Sequence, residues 1–436
     1  MMKKLLFVLV AAVALTVCGK EAKYVFLFIG DGMATPQRMI AEEFSRKAGH
    51  GKLALNSLHY HATTRTCSAN SLVTDSAASA TALACGAKTN NGMVGIDPHG
   101  NRLKSVAEVA RDHGKKVGII TSVTLNHATP AGFYGHRRSR SEGYALGLDL
   151  IASKFDFFGG GGLSKYNEKK PDIYTLAKEA GYTVAVGKAE LDALKPGQRA
   201  IALADKLDKA MPYAIDGQEN MPTLDEITAK AVSLLDGPQG FFIMVEGGAI
   251  DWAGHSNDAA SNLRDTLELD EAVKVALAFQ KSNPDTLIIV TGDHETGGMS
   301  LGCASTGYAF YAERLAAQTC SADMFAEKAK ALKDAGASFE EAKRLITECF
   351  GFMFGGDGND PMTLSADEVA SLERHFAKGD IADKAKRLMS ERAGVGWTSG
   401  SHTGLPALTT SIGPGSERFT GMMDNTDISK TIKSFW

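Results

Sequence analysis

The sequence predicts a doubly wound α/β fold, a three-layer sandwich around a central, mostly parallel sheet, with an inserted helical block. Three observations support this prediction. Five short apolar runs each end at a glycine or a polar turn, which is typical of strands buried on both faces. Helical patterns lie between the runs, and alternating strands and helices favour a parallel sheet. The strand rhythm stops at Gly298 and resumes near Leu408, which indicates an insertion.

The predicted elements follow from these patterns in chain order. The apolar runs predict strands at 24–29, 117–123, 155–158, 241–245 and 287–290. The helical patterns predict helices at 103–113, 174–180, 224–235 and 263–281. Within the insertion, two capping boxes mark helix starts, and they pair Ser338 with Glu341 and Ser365 with Glu368.

The first 19 residues have the pattern of a signal peptide. Lys3 and Lys4 precede an apolar run, Leu5 to Val17, that is too short to span a bilayer comfortably. Two interpretations stay open: lipidation of Cys18 in a lipobox-like segment, or ordinary cleavage near Gly19. Either one predicts an exported protein, in the periplasm or anchored as a lipoprotein that faces the periplasm or the outside.

The mature chain then divides into two parts. Residues 20–300 and 397–436 are the predicted catalytic α/β core, and residues 301–396 are the inserted, cap-like region. Cys303 and Cys320 are close enough in sequence for a disulfide to be considered. No C-x-x-C pair occurs, so a metal site has to use histidines and carboxylates.

The composition excludes one class of partner. The chain has a net charge of -4, with 47 Lys and Arg against 51 Asp and Glu. A nucleic-acid-binding surface would normally be basic, so none is expected. The hydrophobic content of 44% and charged content of 22% are ordinary for a soluble globular protein.

Polar residues follow four of the predicted strands where each strand ends. In open α/β sheets this edge is where ligands bind, so residues far apart in sequence should converge there. Those residues are Asp31, Thr129, Glu246, Asp293 and His294.

The spacing of further residues suggests metal ligands. Asp251 and His255 are one helical turn apart, so both can face one ion, although a helix-start acid and a surface histidine would look the same. His402 is a loop histidine that means little alone. Together, the imidazoles and carboxylates suit zinc, whereas carboxylates with a hydroxyl suit magnesium. Two ions about 4 Å apart would clamp both oxygens of an in-line displacement.

Ser76 is the candidate nucleophile. It follows Asp75, opens an alanine-rich run and has neither a neighbouring histidine base nor a G-x-S-x-G turn. A hydroxyl on zinc can lose its proton without such a base. A helix N-terminus also favours an anion, which implies a phosphate-like substrate. The alternative is that Ser76 or Asp75 merely caps the helix.

These motifs resemble one known family. The segment VTDSAASATA at 73–82 is similar to the nucleophile segment of alkaline phosphatases, and GAKTNNG at 86–92 is also similar. The segments around Asp31, 127–129, 246–255, 293–294 and His402 follow in the family's order. The resemblance covers the mature chain except 301–396. It implies an exported hydrolase of phosphate monoesters that works through a phosphoserine intermediate, with two zinc ions and one magnesium ion per chain.

The resemblance also implies residue roles. Ser76 would be the nucleophile, and Arg140 would clamp the phosphate, with Arg137 and Arg138 as competitors for that role. His127 and Trp252 stand at positions that vary within the family, and His127 in place of an aspartate would weaken magnesium preference or admit zinc. The implied ligands are Asp251, His255 and His402 for the first zinc; Asp293, His294 and a bridging Asp31 for the second; and Asp31, Thr129 and Glu246 for magnesium.

The insertion resembles, in position only, the crown insertions that contact a partner subunit in this family, which implies a homodimer. Inorganic phosphate is the implied product. Two other functions stay open: a phosphodiesterase of the same superfamily, and a non-catalytic surface protein that binds phosphate or metal. Turnover of an ester distinguishes a hydrolase from such a binding protein.

Overall fold

The structure is a computed structural model that describes residues 22–217, 220–356 and 358–436. The predicted signal peptide, with Cys18, lies outside the described residues. Within the described residues, none of the helices combines the length and the apolar character needed to cross a membrane.

The described strands are short and spread over the whole chain. They are β1 Tyr24–Gly30, β2 Tyr60–Arg65, β3 Lys116–Thr121, β4 Phe157–Gly160, β5 Tyr182–Val186, β6 Arg199–Leu203, β7 Phe241–Gly247, β8 Thr286–Gly292, β9 Glu295–Thr296, β10 Ser300–Leu301, β11 Val395–Gly396, β12 His402–Thr403, β13 Ala407–Ile412 and β14 Gly421–Asp424.

The described helices connect these strands and fill the insertion. They are α1 Thr35–Lys47, α2 Ser76–Cys85, α3 Val106–Asp112, α4 Ala128–Ala131, α5 Gly143–Ser153, α6 Ile173–Glu179, α7 Gly187–Ala193, α8 Leu224–Leu235, α9 Ala249–Ser256, α10 Ala259–Ser282, α11 Ala322–Asp334, α12 Phe339–Phe350, α13 Ala366–Lys378, α14 Ile381–Ala393 and α15 Asn425–Lys433.

The central sheet has ten strands in the order β14-β2-β13-β8-β1-β7-β3-β4-β6-β5. The seven strands from β8 to β5 are all parallel to their neighbours, and β13 runs antiparallel to both β8 and β2. Helices flank the sheet, so the predicted α/β fold with a mostly parallel sheet is confirmed. In the sheet register, Gly30 lies beside both Gly247 and Gly292, so β1, β7 and β8 end level with one another.

The pleat of β1 shows why its sequence is apolar throughout. Successive side chains of a strand point to opposite faces. Phe26 and Phe28 join the hydrophobic core on one face, whereas Val25, Leu27 and Ile29 join the core on the other. All five side chains are buried because helices cover both faces of the sheet.

The five predicted apolar strands are present as β1, β3, β4, β7 and β8, and β13 begins where the rhythm was expected to resume. The sequence prediction missed β2, β5, β6 and β14. β2 and β5 alternate between buried and partly exposed residues, so neither has the continuous apolar run that marked the others. All four lie in the outer parts of the sheet.

The insertion begins and ends at a short antiparallel pair, in which Leu301 of β10 lies opposite Val395 of β11. Helices α11 to α14 fill the segment between them, and both predicted capping boxes are present. The cysteine expectation was wrong: Cys303 and Cys320 are free thiols, because Cys303 lies against the Ser305 hydroxyl at 2.9 Å while Cys320 contacts Cys349.

Candidate active site

Four neighbouring strands, β8, β1, β7 and β3, deliver polar residues to one edge of the sheet. Asp31 directly follows β1, Glu246 is the penultimate residue of β7, and Asp293 directly follows β8. Thr129 lies on α4, in the connection after β3. All four are completely buried, so the predicted convergence at the carboxyl ends of parallel strands is what the structure has.

A small two-stranded ribbon brings in His402 from the end of the chain. His402 and Thr403 form β12, which pairs antiparallel with β9, so that His402 lies opposite Thr296 and Thr403 opposite Glu295. The Thr403 hydroxyl also donates to the Glu295 carboxylate. The ribbon therefore carries His402 to within 3.6 Å of the His294 ring, centroid to centroid.

Asp251, His255 and His402 form the first cluster. His255 Nε2 lies 3.1 Å from His402 Nε2, and each nitrogen lies 3.5 Å from an Asp251 carboxylate oxygen. Ligand atoms of Asp251 and His402 also lie within 4.8 Å of His294. Asp251 and His402 are buried or half-buried, whereas the His255 side chain is 39% exposed, which makes it the open side of the cluster.

Backbone carbonyls fix the orientation of both rings in this cluster. His255 Nδ1 lies 2.8 Å from the Gly400 carbonyl oxygen, and His402 Nδ1 lies 2.9 Å from that of Thr74. A carbonyl only accepts a hydrogen bond, so each Nδ1 carries the proton. Each Nε2 then presents a lone pair to the cluster, which is the arrangement that a metal ligand requires.

Asp31, Asp293 and His294 form the second cluster, which is completely buried. His294 Nε2 lies 3.2 Å from Asp31 Oδ1 and 3.3 Å from Asp293 Oδ2. Backbone N–H groups of Gly32 and His294 donate to Asp293 Oδ1 at 3.0 and 2.9 Å and so fix this carboxylate. Gly32 has φ +71°, and a Cβ there would lie 2.9 Å from the Asp251 Cα, which explains the Gly-Asp-Gly turn.

The Ser76 hydroxyl lies against this second cluster. Its Oγ is 3.2 Å from His294 Nε2 and 3.4 Å from Asp31 Oδ1. Ser76 is the first residue of α2, and Asp75 is the N-cap, accepting a hydrogen bond from the Ala78 N–H. The capping alternative therefore applies to Asp75, and the Ser76 side chain is left to face the cluster.

The alanines that follow Ser76 permit close packing. Every residue of α2 is buried. A Cβ on Gly132 would lie only 2.9 Å from the Ala80 Cβ, so small side chains are needed where α2 meets α4. The helix ends at Gly86 in the left-handed conformation, with φ 75°.

A third cluster surrounds the other oxygen of Asp31. Thr129 Oγ1 donates to Asp31 Oδ2 at 3.3 Å, and His127 Nδ1 lies 4.0 Å from the same oxygen. Ligand atoms of Asp31, His127 and Glu246 lie within 4.8 Å of one another. The Thr121 hydroxyl donates to Glu246 Oε2 and orients that carboxylate.

Arg140 reaches the site, whereas its two sequence competitors do not. Its Nη1 lies 3.1 Å from Asp75 Oδ2, and its Nη2 lies 3.1 Å from His127 Nε2. Arg137 instead forms a bidentate pair with Asp149, and Arg138 donates to the exposed His99 carbonyl. The Trp252 ring stands edge-on to His127 at 5.9 Å between centroids.

Burial and mutual repulsion raise the pKa of three carboxyls. Burial raises the pKa of Glu246 to about 8 and that of Asp293 to about 7, with the Asp251 charge adding to the effect at Asp293. The pKa of Asp31 lies well above its ordinary value because of burial and because Asp293, Asp251 and Glu246 surround it. The clusters thus hold more negative charge than the protein alone neutralises.

The pKa values of three histidines and of Asp251 are also shifted, and two of these histidines are kept neutral. Burial lowers the pKa of His294 well below its ordinary value, and burial with the Arg140 charge lowers that of His127 to about 4. At Asp251, burial alone would raise the pKa, but the hydrogen bond with His402 and the neighbouring imidazoles hold it below the ordinary value. At His402, burial is outweighed by the same Asp251 partner, and the pKa is raised.

Three buried atoms of the second and third clusters have no hydrogen-bond partner among the described residues: Asp293 Oδ2, Glu246 Oε1 and His127 Nδ1. Buried polar atoms are normally satisfied, and each orphan costs about 1–3 kcal/mol. The carboxylate oxygens are metal ligands, so divalent cations fit Asp293 and Glu246, whereas His127 Nδ1 carries a proton because its Nε2 accepts from Arg140.

Comparison with known proteins agrees with this geometry. The family model "Alkaline phosphatase" matches residues 22–436. Alkaline phosphatase 3 of Bacillus subtilis is 32% identical over an alignment of 426 residues that covers 94% of this chain and 88% of the relative. The solved cold-active alkaline phosphatase of Shewanella sp. is 28% identical with a TM-score of 0.84, covering 94% of this chain and 99% of that one.

This chain belongs to the alkaline phosphatase family. The predicted resemblance and the predicted enzyme class, a phosphoric monoester hydrolase, are thereby confirmed. Another solved relative is a variant of the alkaline phosphatase from the Antarctic bacterium TAB5, in which aspartate replaces a histidine and Mg is bound in the M3 site. It is 27% identical with a TM-score of 0.69, covering 95% of this chain and 98% of that one.

Sequence reasoning missed three supporting residues of this alkaline phosphatase. Thr296 Oγ1 donates to Asp251 Oδ1 at 2.5 Å and lies 3.3 Å from His294 Nδ1, so it links the first two clusters. Asp75 holds Arg140, and Thr121 orients Glu246. Thr296 lies in the TGDHETGG motif, and its position two residues after His294 is the signal that was available.

Proposed function

We propose that this chain is an exported alkaline phosphatase that hydrolyses phosphate monoesters through a phosphoserine at Ser76, with two zinc ions and a third, magnesium ion. The observation that carries the proposal is the Ser76 hydroxyl, which projects from the first turn of a buried helix to 3.2–3.4 Å from His294 and Asp31. Bound divalent ions would supply charge that polarises the phosphate and lowers the pKa of the hydroxyl.

The chain would hold these ions with ligands already oriented. Asp251, His255 and His402 would bind the first zinc, because both imidazoles present Nε2 to one carboxylate. Asp293 and His294 would bind the second. Asp31 would bridge the second and third ions, since its two oxygens face different clusters.

Arg140 would orient the phosphate. Its guanidinium lies beside the N-terminus of α2, where backbone N–H groups favour an anion. Asp75 holds one end of the fork, and the other end lies 3.1 Å from His127 Nε2. A bidentate contact would fix two phosphate oxygens and direct the phosphorus toward Ser76.

The third ion would lie among Asp31, Thr129 and Glu246, with His127 beside them. A neutral imidazole suits zinc better than magnesium, which prefers oxygen ligands. The TAB5 variant that has Mg in the M3 site carries an aspartate in place of a histidine. This comparison supports a weakened magnesium preference while His127 is present.

The decisive experiment compares Ser76→Ala with Ser79→Ala. Both remove a hydroxyl from α2, but Ser79 donates to the Asp293 carbonyl rather than facing the clusters. We expect Ser76→Ala to lose nearly all hydrolysis of an aryl phosphate while elemental analysis finds its metal content unchanged. Ser79→Ala should lose far less. Acid quenching should trap phosphate on Ser76 of the wild type. Full activity in Ser76→Ala would refute the covalent mechanism.

Two alternatives have distinct outcomes in the same assays. A phosphodiesterase would hydrolyse a bis-aryl phosphate faster than the monoester. A non-catalytic binding protein would retain metal and phosphate without turnover. The arginine at the helix start and the third cluster favour the monoesterase.

The proposal also covers the export of the protein, the limits of its two regions and its oligomeric state. The segment 1–19 would direct export, with or without lipid on Cys18, which mass determination of the mature N-terminus would test. Residues 301–396 would form the crown-like insertion on the core of 20–300 and 397–436. A homodimer is proposed by analogy, because the segment 301–396 resembles in position the crown insertions that contact a partner subunit in this family.

A further inference from the structure

The proposed reaction defines where the alcohol part of the substrate must lie. Ser76 approaches from the second cluster, beside His294 and Asp31. In an in-line displacement, the leaving oxygen departs on the side opposite the nucleophile. Ser76 makes no described contact with the first cluster, whose exposed member is His255, so the proposal takes the first cluster as the leaving side. The departing alcohol therefore leaves past His255.

A large cleft begins at this residue. Its volume is about 950 Å³, and its lining includes His255 and Trp397 from the core. Residues of α14 and of the loop that contains Cys303 also line it. The cleft is thus formed jointly by the catalytic core and by the segment 301–396.

Several charged side chains of the cleft neutralise one another. Lys386 Nζ lies 2.7 Å from Asp383 Oδ1, and His375 Nδ1 lies 2.8 Å from Asp380 Oδ1. Because these side chains already contact one another, they are less available to a ligand.

Two cations of the cleft lack such partners. Lys384 and Arg387 line it from α14, and neither makes an ion pair or side-chain hydrogen bond with another described residue. Lys384 is half-buried and Arg387 is exposed. Glu391 is the one lining carboxylate outside the pairs that the structure describes.

The Trp397 indole adds an apolar surface to the lining that it shares with these cations and His255. Its Nε1 donates to Ser390 Oγ at 3.1 Å, which fixes the ring. A carbon skeleton leaving past His255 would lie against this ring, with its far end toward α14.

We propose that this cleft is a leaving-group subsite for phosphomonoesters whose alcohol carries a second anionic group, such as a second phosphate, held by Lys384 and Arg387. The proposal rests on the proposed function and deepens it by naming a substrate class. Flexible monoesters with a neutral alcohol remain substrates, because the primary phosphate is bound by the clusters and Arg140. The subsite would change which monoesters are preferred, and it would leave the hydrolysis itself unchanged.

The test compares alkanediol bisphosphates of increasing chain length with the corresponding hydroxyalkyl monophosphates. The measured quantity is the ratio of kcat/KM values, corrected for the second equivalent phosphate. We expect the ratio in the wild type to peak at the chain length that spans the cleft. Exposed ion pairs contribute about 0.2–1 kcal/mol each, so the double variant Lys384→Gln, Arg387→Gln, which removes two, should reduce this peak roughly two- to thirtyfold.

Lys386→Gln is the matched control, because Lys386 lines the same cleft but is already paired with Asp383. It should keep the preference, and activity on monophosphates should be unchanged in all variants. A ratio that is flat across chain lengths, or a peak that survives in the double variant, overturns the subsite while leaving the phosphatase intact. Absence of turnover on both esters in the wild type would instead refute the proposed function and the subsite with it.

Discussion

Removal of metal should make the stability of this protein fall as the pH rises from about 6.5 to about 9. Burial raises the pKa of Glu246 to about 8 and that of Asp293 to about 7. In the unfolded chain both carboxyls ionise near pH 4. The folded metal-free protein therefore holds protons that the unfolded chain has lost. The associated stability is complete below pH 4 and is lost as the pH rises through the folded-state pKa values.

The magnitude follows from the width of this window. A carboxyl with a pKa of about 8 stays protonated over about 1.5 pH units of it, and one with a pKa of about 7 over about 0.6. At about 1.4 kcal/mol per unit, the loss is on the order of 3 kcal/mol. Asp31 and His402, whose pKa values are also raised, act in the same direction.

The histidines with lowered pKa values oppose this trend only weakly within the window. The pKa values of His294 and His127 are lowered on folding, so their contribution is present above about pH 6.5 and is lost only at lower pH. Asp251, with a lowered pKa, is ionised in both states throughout the window. The slope between pH 6.5 and 9 therefore has one sign.

Denaturant unfolding at several pH values, with metal-free and metal-saturated protein, measures this effect. Buried Asp265 and Glu268 also have raised pKa values, but they belong to none of the three clusters, so their contribution cancels in the difference between the two forms. Glu246→Gln should flatten the metal-free profile. A metal-free protein whose stability is constant or rises across the window would refute the electrostatic account of the site.

Two further predictions concern single side chains. His127→Asp should bind magnesium more tightly at the third cluster, because a carboxylate replaces a neutral imidazole; titration calorimetry would show it, and unchanged affinity would contradict the placement of His127 beside that ion. Arg140→Lys should raise the inhibition constant of inorganic phosphate about tenfold, because a charge remains but the bidentate fork is lost, whereas Arg137→Lys should not. Equal effects of the two substitutions would contradict the role of Arg140.

The sequence predicted the strands that helices cover on both faces of the sheet. β1, β7 and β8 lie between two helical layers, so they are buried at every position and contain continuous apolar runs. β2 has the sequence YHATTR with only two buried residues, and it is a strand because β13 and β14 pair with it. Such pairing is long-range and leaves no local apolar signal.

The same distinction applies to the site. Residues at strand ends could be predicted because the topology of a parallel sheet fixes where they converge. The sequence could not predict which of Arg137, Arg138 and Arg140 reaches the site. That depends on two ion pairs, Arg137 with Asp149 and Arg140 with Asp75. The position of His402 likewise depends on the pairing of two two-residue strands from distant parts of the chain.

The candidate metal ligands and the residues of the proposed subsite lie in different parts of the chain. The cluster ligands lie on strand ends, buried helices or the short ribbon, and backbone N–H groups and carbonyls fix several of them; Asp293 and His402 are examples. These contacts belong to the core and do not involve the insertion. The cations of the proposed subsite, by contrast, lie on α14 within the insertion. Substitutions on α14 can therefore change the preferred alcohol without disturbing the carboxylates and imidazoles on which the reaction depends.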